Sequence, residues 1–332
     1  LLAERSAPDP FLDTFTGLVA ARAVTTAVML GVFDALHEGP ATPQELAERL
    51  ELDPLGAETL LAALAALGYV DHDGERAANT EVSERLLVAS SPESIATFIG
   101  HQGDLHWQVL DLLPEAVRDG RAYSMHEERH EEAERWDAYI RGLFEISRPE
   151  HDANAALVGV ESPTQLVDVA GGHGGFAMAM CRRHPGLRAT VLDLPPSAAV
   201  GRKIVAEQGF ADRVEFREGD VFELGLGENL DVVSVFNLVH HLPEERDREL
   251  VRMARTALRP GGALVIGDSA RPEPGGQMSA HGAVSSLLFY AWSHSRNFSP
   301  SEVRGWLEDA GFEDVQVRQN VRSLWRMVVI GR

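Results

Sequence analysis

The chain has 332 residues, 44% of them hydrophobic and 24% charged, an ordinary balance for folded domains, and its length predicts two domains rather than one. With 30 basic against 51 acidic side chains the formal net charge is -21, so a nucleic acid or an anionic membrane meets repulsion rather than steering. A lone cysteine, Cys181, excludes an internal disulfide and any cysteine-only zinc centre, and it fits a reducing cytoplasm.

The apolar stretch from Phe15 to Leu36 is interrupted by Arg22 and Asp34 and reads as a buried helix, not as a membrane span or an export signal. Thr42, followed by Pro43 and Glu45, signals the start of a helix to Leu50, and a third helix from Leu55 to Leu67 stops at Gly68. Tyr69 to His72 followed by Asp73-Gly74 predicts a strand entering a tight turn. Three helices and a hairpin make a winged helix-turn-helix. Its would-be recognition helix, Leu55 to Leu64, has no Lys or Arg and is mostly apolar, which suits protein packing and dimerisation rather than DNA binding.

Residues from Ser91 to Pro149 read as helical, with Phe98, Trp107, Tyr123, Trp136, Tyr139 and Phe144 as core or pocket-lining aromatics. The segment His126-Glu127-Glu128-Arg129-His130 has zinc-protease spacing, but it lies in a run of acids and bases that reads as a solvated helix.

From Gln165 short apolar runs alternate with helical stretches. Leu166 to Ala170, Ala189 to Leu192, Val214 to Phe216, Asp231 to Phe236 and Ala263 to Gly267 predict strands; Phe176 to His184 and Pro243 to Leu258 predict helices. This alternation marks an α/β, doubly wound, mostly parallel sheet, which binds ligands at the C-terminal ends of its strands.

The first of these strands runs into Ala170-Gly171-Gly172-His173-Gly174-Gly175, where glycines allow close backbone approach to a ligand. Alone this turn also satisfies a dinucleotide pattern. The acids decide: Asp168 within the first strand can hold the turn or reach a cofactor ammonium through water. Asp193 ends the second strand and can accept both ribose hydroxyl protons, and Asp220, after the third, can accept from an adenine amino group beside Val221 and Phe222.

Six pieces then resemble the small-molecule S-adenosylmethionine-dependent O-methyltransferases, the family of caffeic-acid and acetylserotonin O-methyltransferases and bacterial tailoring enzymes. They are Val167 to Gly174, Leu192-Asp193-Leu194-Pro195, Gly219 to Phe222, Asn237-Leu238-Val239-His240-His241, Leu258 to Gly262 and Ala310-Gly311-Phe312. Ala170 replaces the usual first glycine, a change the turn should tolerate. The resemblance implies a Rossmann-like class I methyltransferase with an N-terminal α-helical winged-helix dimerisation domain. Its domains are expected at 1–100 for dimerisation, 101–160 for a helical linker contributing to the substrate pocket, and 161–332 for catalysis. It further implies a homodimer, a small-molecule acceptor, and S-adenosylmethionine held by Asp168, Gly171, Gly172, Gly174, Asp193, Leu194, Asp220, Val221, Phe222 and Asn237.

In the family, the position matched by His240 takes the acceptor's hydroxyl proton, and that matched by Asp268 orients the histidine. A neutral imidazole, with an ordinary pKa of about 6.5, suits that task. Asn297 falls where plant members carry a second orienting acid, and Phe236 where some carry a basic residue. An alternative is metal-assisted C-methylation of a 2-oxo acid, in which His240, His241 and His294 hold a divalent metal and Arg296 pairs with the carboxylate.

Overall fold

The structure, a computed structural model, describes residues 10–123, 133–277, 280–319 and 326–332. The zinc-protease-like stretch His126 to His130 lies outside the described residues. The chain divides into two compact units, 1–107 and 108–332.

In the first unit α1 (Pro10–Met29), α2 (Val32–His37), α3 (Pro43–Leu50) and α4 (Pro54–Ala66) precede the hairpin β1 (Val70–His72) and β2 (Ala77–Asn79), then α5 (Glu81–Leu86). The expected single helix to Leu36 is therefore two, broken at Gly31, whose φ of 73° is readily available only to glycine. Its first part is also not buried. Phe11, Phe15, Leu18 and Val19 are 74%, 57%, 47% and 57% exposed, an apolar stripe at helical spacing.

The α3 start is the expected one. The Thr42 hydroxyl accepts from the Glu45 N–H and the Glu45 carboxylate accepts from the Thr42 N–H at 2.9 Å, a reciprocal cap of about 1 kcal/mol. Asp53 caps α4 through the Gly56 N–H at 2.7 Å. Phe33, Leu36, Leu46, Leu61, Leu64 and Val70 meet in the core beneath these helices. Among the described residues no helix is long and apolar enough to cross a membrane.

Helix α6 (Ala96–Asp111) runs across the unit boundary and leads to α7 (Leu113–Asp119) and α8 (Ala133–Leu157). A seven-stranded sheet follows, with β3 (Gln165–Val169), β4 (Arg188–Asp193), β5 (Val214–Glu218), β6 (Leu230–Phe236), β7 (Leu258–Ser269), β8 (Val315–Gln319) and β9 (Arg326–Gly331). Its order is β5-β4-β3-β6-β7-β9-β8; the first five strands are parallel, while β9 runs antiparallel to β7 and β8. The β3 and β6 residues are buried almost throughout, as strands covered by helices on both faces must be. Those helices are α9 (Gly175–Arg183), α10 (Pro195–Glu207), the short α11 (Val221–Leu224), α12 (Glu244–Ala257), α13 (Ala280–Ser293) and α14 (Pro300–Asp309).

Strand order reverses between β3 and β6, which opens a crevice at their C-terminal ends. The register brings four positions to that edge. Val169 pairs with Leu192 and with Val235, and Phe236 pairs with Gly267, so Ala170 and Asp193 follow level with Phe236 and Gly267, and Asn237 and Asp268 come one residue further on.

Candidate active site

The turn after β3 is left-handed at three places, Ala170 (φ 50°), Gly172 (52°) and Gly174 (70°). Ala170 stands in the first glycine position and adopts the conformation all the same, at a cost of about 1–2 kcal/mol for a side-chain-bearing residue. Gly171 is sterically required: an added Cβ would lie 2.6 Å from Asp168 Oδ2. Across the strands, Asp193 Oδ2 accepts from the Gly172 N–H and Oδ1 from the Leu194 N–H, both at 2.7 Å, so this acid ties the turn to β4.

Asp168 is 1% exposed; its Oδ1 accepts from the Ser234 hydroxyl at 2.7 Å and its Oδ2 has no hydrogen-bond partner. Burial pushes its carboxyl up to about 7, against the pull of Ser234, and pushes Asp193 up to about 6 against its backbone donors. Two acids held near neutrality in this way are stabilised by a cation and by hydroxyl donors. The pair therefore fits a ligand with a sulfonium, an ammonium and a ribose.

His173, in the middle of the turn, accepts from the Gly175 N–H through Nδ1 at 3.0 Å, and its Nε2 lies 3.1 Å from the Ser147 hydroxyl on α8. Ser147 also contacts His151 Nε2 at 3.0 Å, and a Cβ on Gly175 would fall 2.1 Å from the His151 ring. Burial lowers the pKa of both histidines, His173 to about 4, so this bridge is made of neutral rings. After β5, Asp220 caps α11 by accepting from the Phe222 N–H at 2.9 Å, and Val221 is buried. The Arg246 guanidinium lies 3.5 Å from the Phe222 ring centre, covering one of its faces. Asn237 is left-handed and exposed, and its side-chain oxygen accepts from Arg326, which also pairs with Glu150 at 3.2 Å.

A single 3-10 turn, Val239–His241, follows β6 and sets His240 beside the end of β7. His240 is 4% exposed, and its Nδ1 lies 2.6 Å from Oδ1 of Asp268, itself 1% exposed. The same Oδ1 accepts from the Ser269 N–H, so the carboxylate is fixed before it fixes the ring. With Nδ1–H donated to Asp268, Nε2 is the nitrogen left to act as acceptor. Phe289 on α13 covers His240 at 3.9 Å between ring centres, and His241 follows at 4.2 Å. Trp292 and Tyr139 extend this aromatic shell, 6.4 Å apart.

The other residues singled out in the sequence are placed as follows. His241 Nδ1 is 2.5 Å from the Ser293 hydroxyl. His294 is exposed at a left-handed turn, with its ring against Tyr290. Among the described residues no three His, Cys, Asp or Glu side chains converge as a metal-binding group, so His240, His241 and His294 are not brought together as one. Arg296 is engaged by Glu302 and Glu244 and lies over Phe298. Asn297 is 1% exposed, and Phe236 packs against Phe176 at 4.5 Å in space left by Gly267. Phe289 and Ser234, which lie against His240 and Asp168, were not singled out from the sequence.

A Rossmann-like sheet with a glycine turn, acids at successive strand ends and a buried Asp–His pair defines a methyltransferase of the small-molecule class. An O-methyltransferase domain model matches residues 107–313 and an O-methyltransferase dimerisation domain matches 12–89. The chain belongs to this family of S-adenosylmethionine-dependent O-methyltransferases. It is 30% identical to the 3-hydroxy-5-methyl-1-naphthoate 3-O-methyltransferase of Streptomyces sahachiroi, over 93% of this chain and 90% of that protein. It is also 30% identical to the mitomycin biosynthesis 6-O-methyltransferase of Streptomyces lavendulae, with the same coverage. Human N-acetylserotonin methyltransferase, solved in complex with SAM, shares the fold with a TM-score of 0.86 at 21% identity, covering 99% of each chain.

Proposed function

We propose that the chain methylates a hydroxyl group on a hydroxylated aromatic metabolite, with His240 as general base, and that it works as a homodimer. The observation that carries this reading is the Asp268–His240 contact at 2.6 Å, buried beneath Phe289. S-adenosylmethionine supplies a methyl carbon on a sulfonium, and the acceptor oxygen bonds to that carbon as the carbon–sulfur bond breaks. The cofactor would be held by Asp168 and Asp193 with the turn Gly171, Gly172 and Gly174, and by Leu194, Asp220, Val221, Phe222 and Asn237.

His240 Nε2 takes the hydroxyl proton, which leaves oxygen with the electron pair that forms the new bond. The imidazolium so formed keeps its Nδ1–H on Asp268, whose charge compensates it. A positioned base of this kind contributes about 10²- to 10⁴-fold in rate. Phe289, Trp292 and Tyr139 give the site flat apolar walls that suit an aromatic acceptor and exclude water. The two bacterial relatives named above are both named as O-methyltransferases, one of them for a hydroxynaphthoate, which supports the same acceptor class.

The test uses labelled S-adenosylmethionine, a panel of hydroxynaphthoates and exhaustive chelation of divalent metals, with the position of the methyl read by NMR. The reading expects transfer to oxygen at an undiminished rate. Methyl transfer only to the β-carbon of a 2-oxo acid, restored by added metal, would sink it.

A further inference from the structure

Asp247 lies on the wrong side of its helix for an acid. Along α12 the buried residues are Asp247, Leu250, Val251, Ala254 and Ala257, the spacing of one helical face, and this face packs into the apolar core beneath the sheet. Asp247 is 1% exposed, and neither of its carboxyl oxygens has a hydrogen-bond partner. Two further buried acceptors are in the same condition: Oδ2 of Asp268 and Oδ1 of Asn297.

Asp268 lies near enough to Asp247 for its charge to be felt there, and the chain segments around them approach each other. Ser295 donates to the Leu242 carbonyl at 2.8 Å at the entrance to α12, and Phe298 bridges to Ala270 just past Asp268, which draws the segment holding Asn297 between them. Asp247 and Asp268, as carboxylates, bring acceptors alone, and the amide of Asn297 is the one side-chain donor of the three. Leaving such groups unpaired costs about 1–3 kcal/mol each, and a single proton removes most of that cost.

We infer that Asp247 is a positioning residue of the methyl-transfer site, a carboxylic acid that keeps its proton and donates it to the free oxygen of Asp268, so fixing the acid that fixes His240. The inference rests on the reading of His240 as the base. It places a second acid behind the histidine from α12, where the loop position Asn297 supplies an amide instead.

The electrostatic surroundings agree. Burial, then Asp268 and Glu244, push the Asp247 carboxyl up to about 9. The nearby cations are engaged elsewhere: Arg248 pairs with Glu244 and Asp309, and Arg296 with Glu302 and Glu244. Asp268 Oδ1 already takes the Ser269 N–H and faces His240 Nδ1, which leaves Oδ2 as its free acceptor.

Infrared spectroscopy and kinetics on the whole enzyme test this with Asp247→Asn and Asp247→Leu. At pH 8, where Asp168 and Asp193 are mainly ionised, the wild type should show the carbonyl band of a buried protonated carboxylic acid, and Asp247→Asn should lack it. Asn keeps a donor and should hold kcat within about threefold, whereas Leu keeps the volume without the donor and should lower kcat about tenfold with KM little changed. Absence of the acid band in the wild type, or wild-type kcat in Asp247→Leu, would overturn the inference. If the Leu variant does not fold, the band and its loss in Asp247→Asn decide the matter alone. Failure of the His240 reading is separable, because His240→Ala would then keep its turnover while the acid band stayed in place.

Discussion

Asp168 and Asp193 are acids held where water is scarce, and this sets how the cofactor site responds to pH. Their pKa values, raised by burial to about 7 and about 6, mean that below pH 6 both are largely protonated in the free protein. In the folded chain they bind protons more tightly than an unfolded chain would, so their contribution to stability falls as pH rises from about 4 through 7. A cationic cofactor reverses the preference, because it favours the ionised carboxylates. Affinity for S-adenosylmethionine should therefore rise between pH 5.5 and 7.5, and binding at pH 6.5 should release protons. Calorimetry in buffers of different ionisation enthalpy reads that release directly; an affinity flat across this range would contradict the account. Both acids were legible in the sequence because each sits at a strand end next to a turn. Their burial was not, since it depends on what packs over the turn, including α8 and its Ser147 bridge to His173.

Elements with a strong local signal were the readable ones. The Thr42 cap, the hairpin at Asp73-Gly74 and the five parallel strands all follow from capping residues, turn residues and apolar runs. The antiparallel pair β8 and β9 was not among the strands read, because Val315–Gln319 alternates apolar and polar residues over only five positions. On α12 the signal was present and passed over: an acid at position 247 lies on the same stripe as Leu250, Val251 and Ala254, and such an acid must be protonated or paired. Helix α1 shows the opposite case. Its apolar residues suggested burial, yet Phe11, Phe15, Leu18 and Val19 are exposed, as a helix that packs against a second copy of the chain would leave them. Phe15→Glu and Leu18→Glu should each raise the dimer dissociation constant about tenfold or more, read by light scattering across micromolar concentrations. A wild type that stays monomeric there, in low and high salt, would contradict the dimer.

At the scale of the whole molecule the two units divide the work. The first has a mostly apolar fourth helix without Lys or Arg and an exposed apolar stripe on its first helix; the second carries every residue of the proposed methyl-transfer site. Within it the sheet lines up one strand end after another, so that residues from 168 to 268 meet on one edge. Sequence motifs located that edge. They did not show that Phe289 would cover His240, because α13 reaches the site through tertiary contacts distant in sequence, the Ser293–His241 contact among them. The account depends most on what His240 does there, and the three histidines separate the possibilities. The measurement is the single-turnover rate of methyl transfer to one hydroxylated aromatic acceptor, in excess chelator, for the wild type and for His240→Ala, His241→Ala and His294→Ala. The account predicts a loss of about 10²- to 10⁴-fold for His240→Ala and less than about tenfold for the other two. A His240→Ala rate within about threefold of the wild type, or equally severe losses in all three variants with inactivation by chelator, would contradict it.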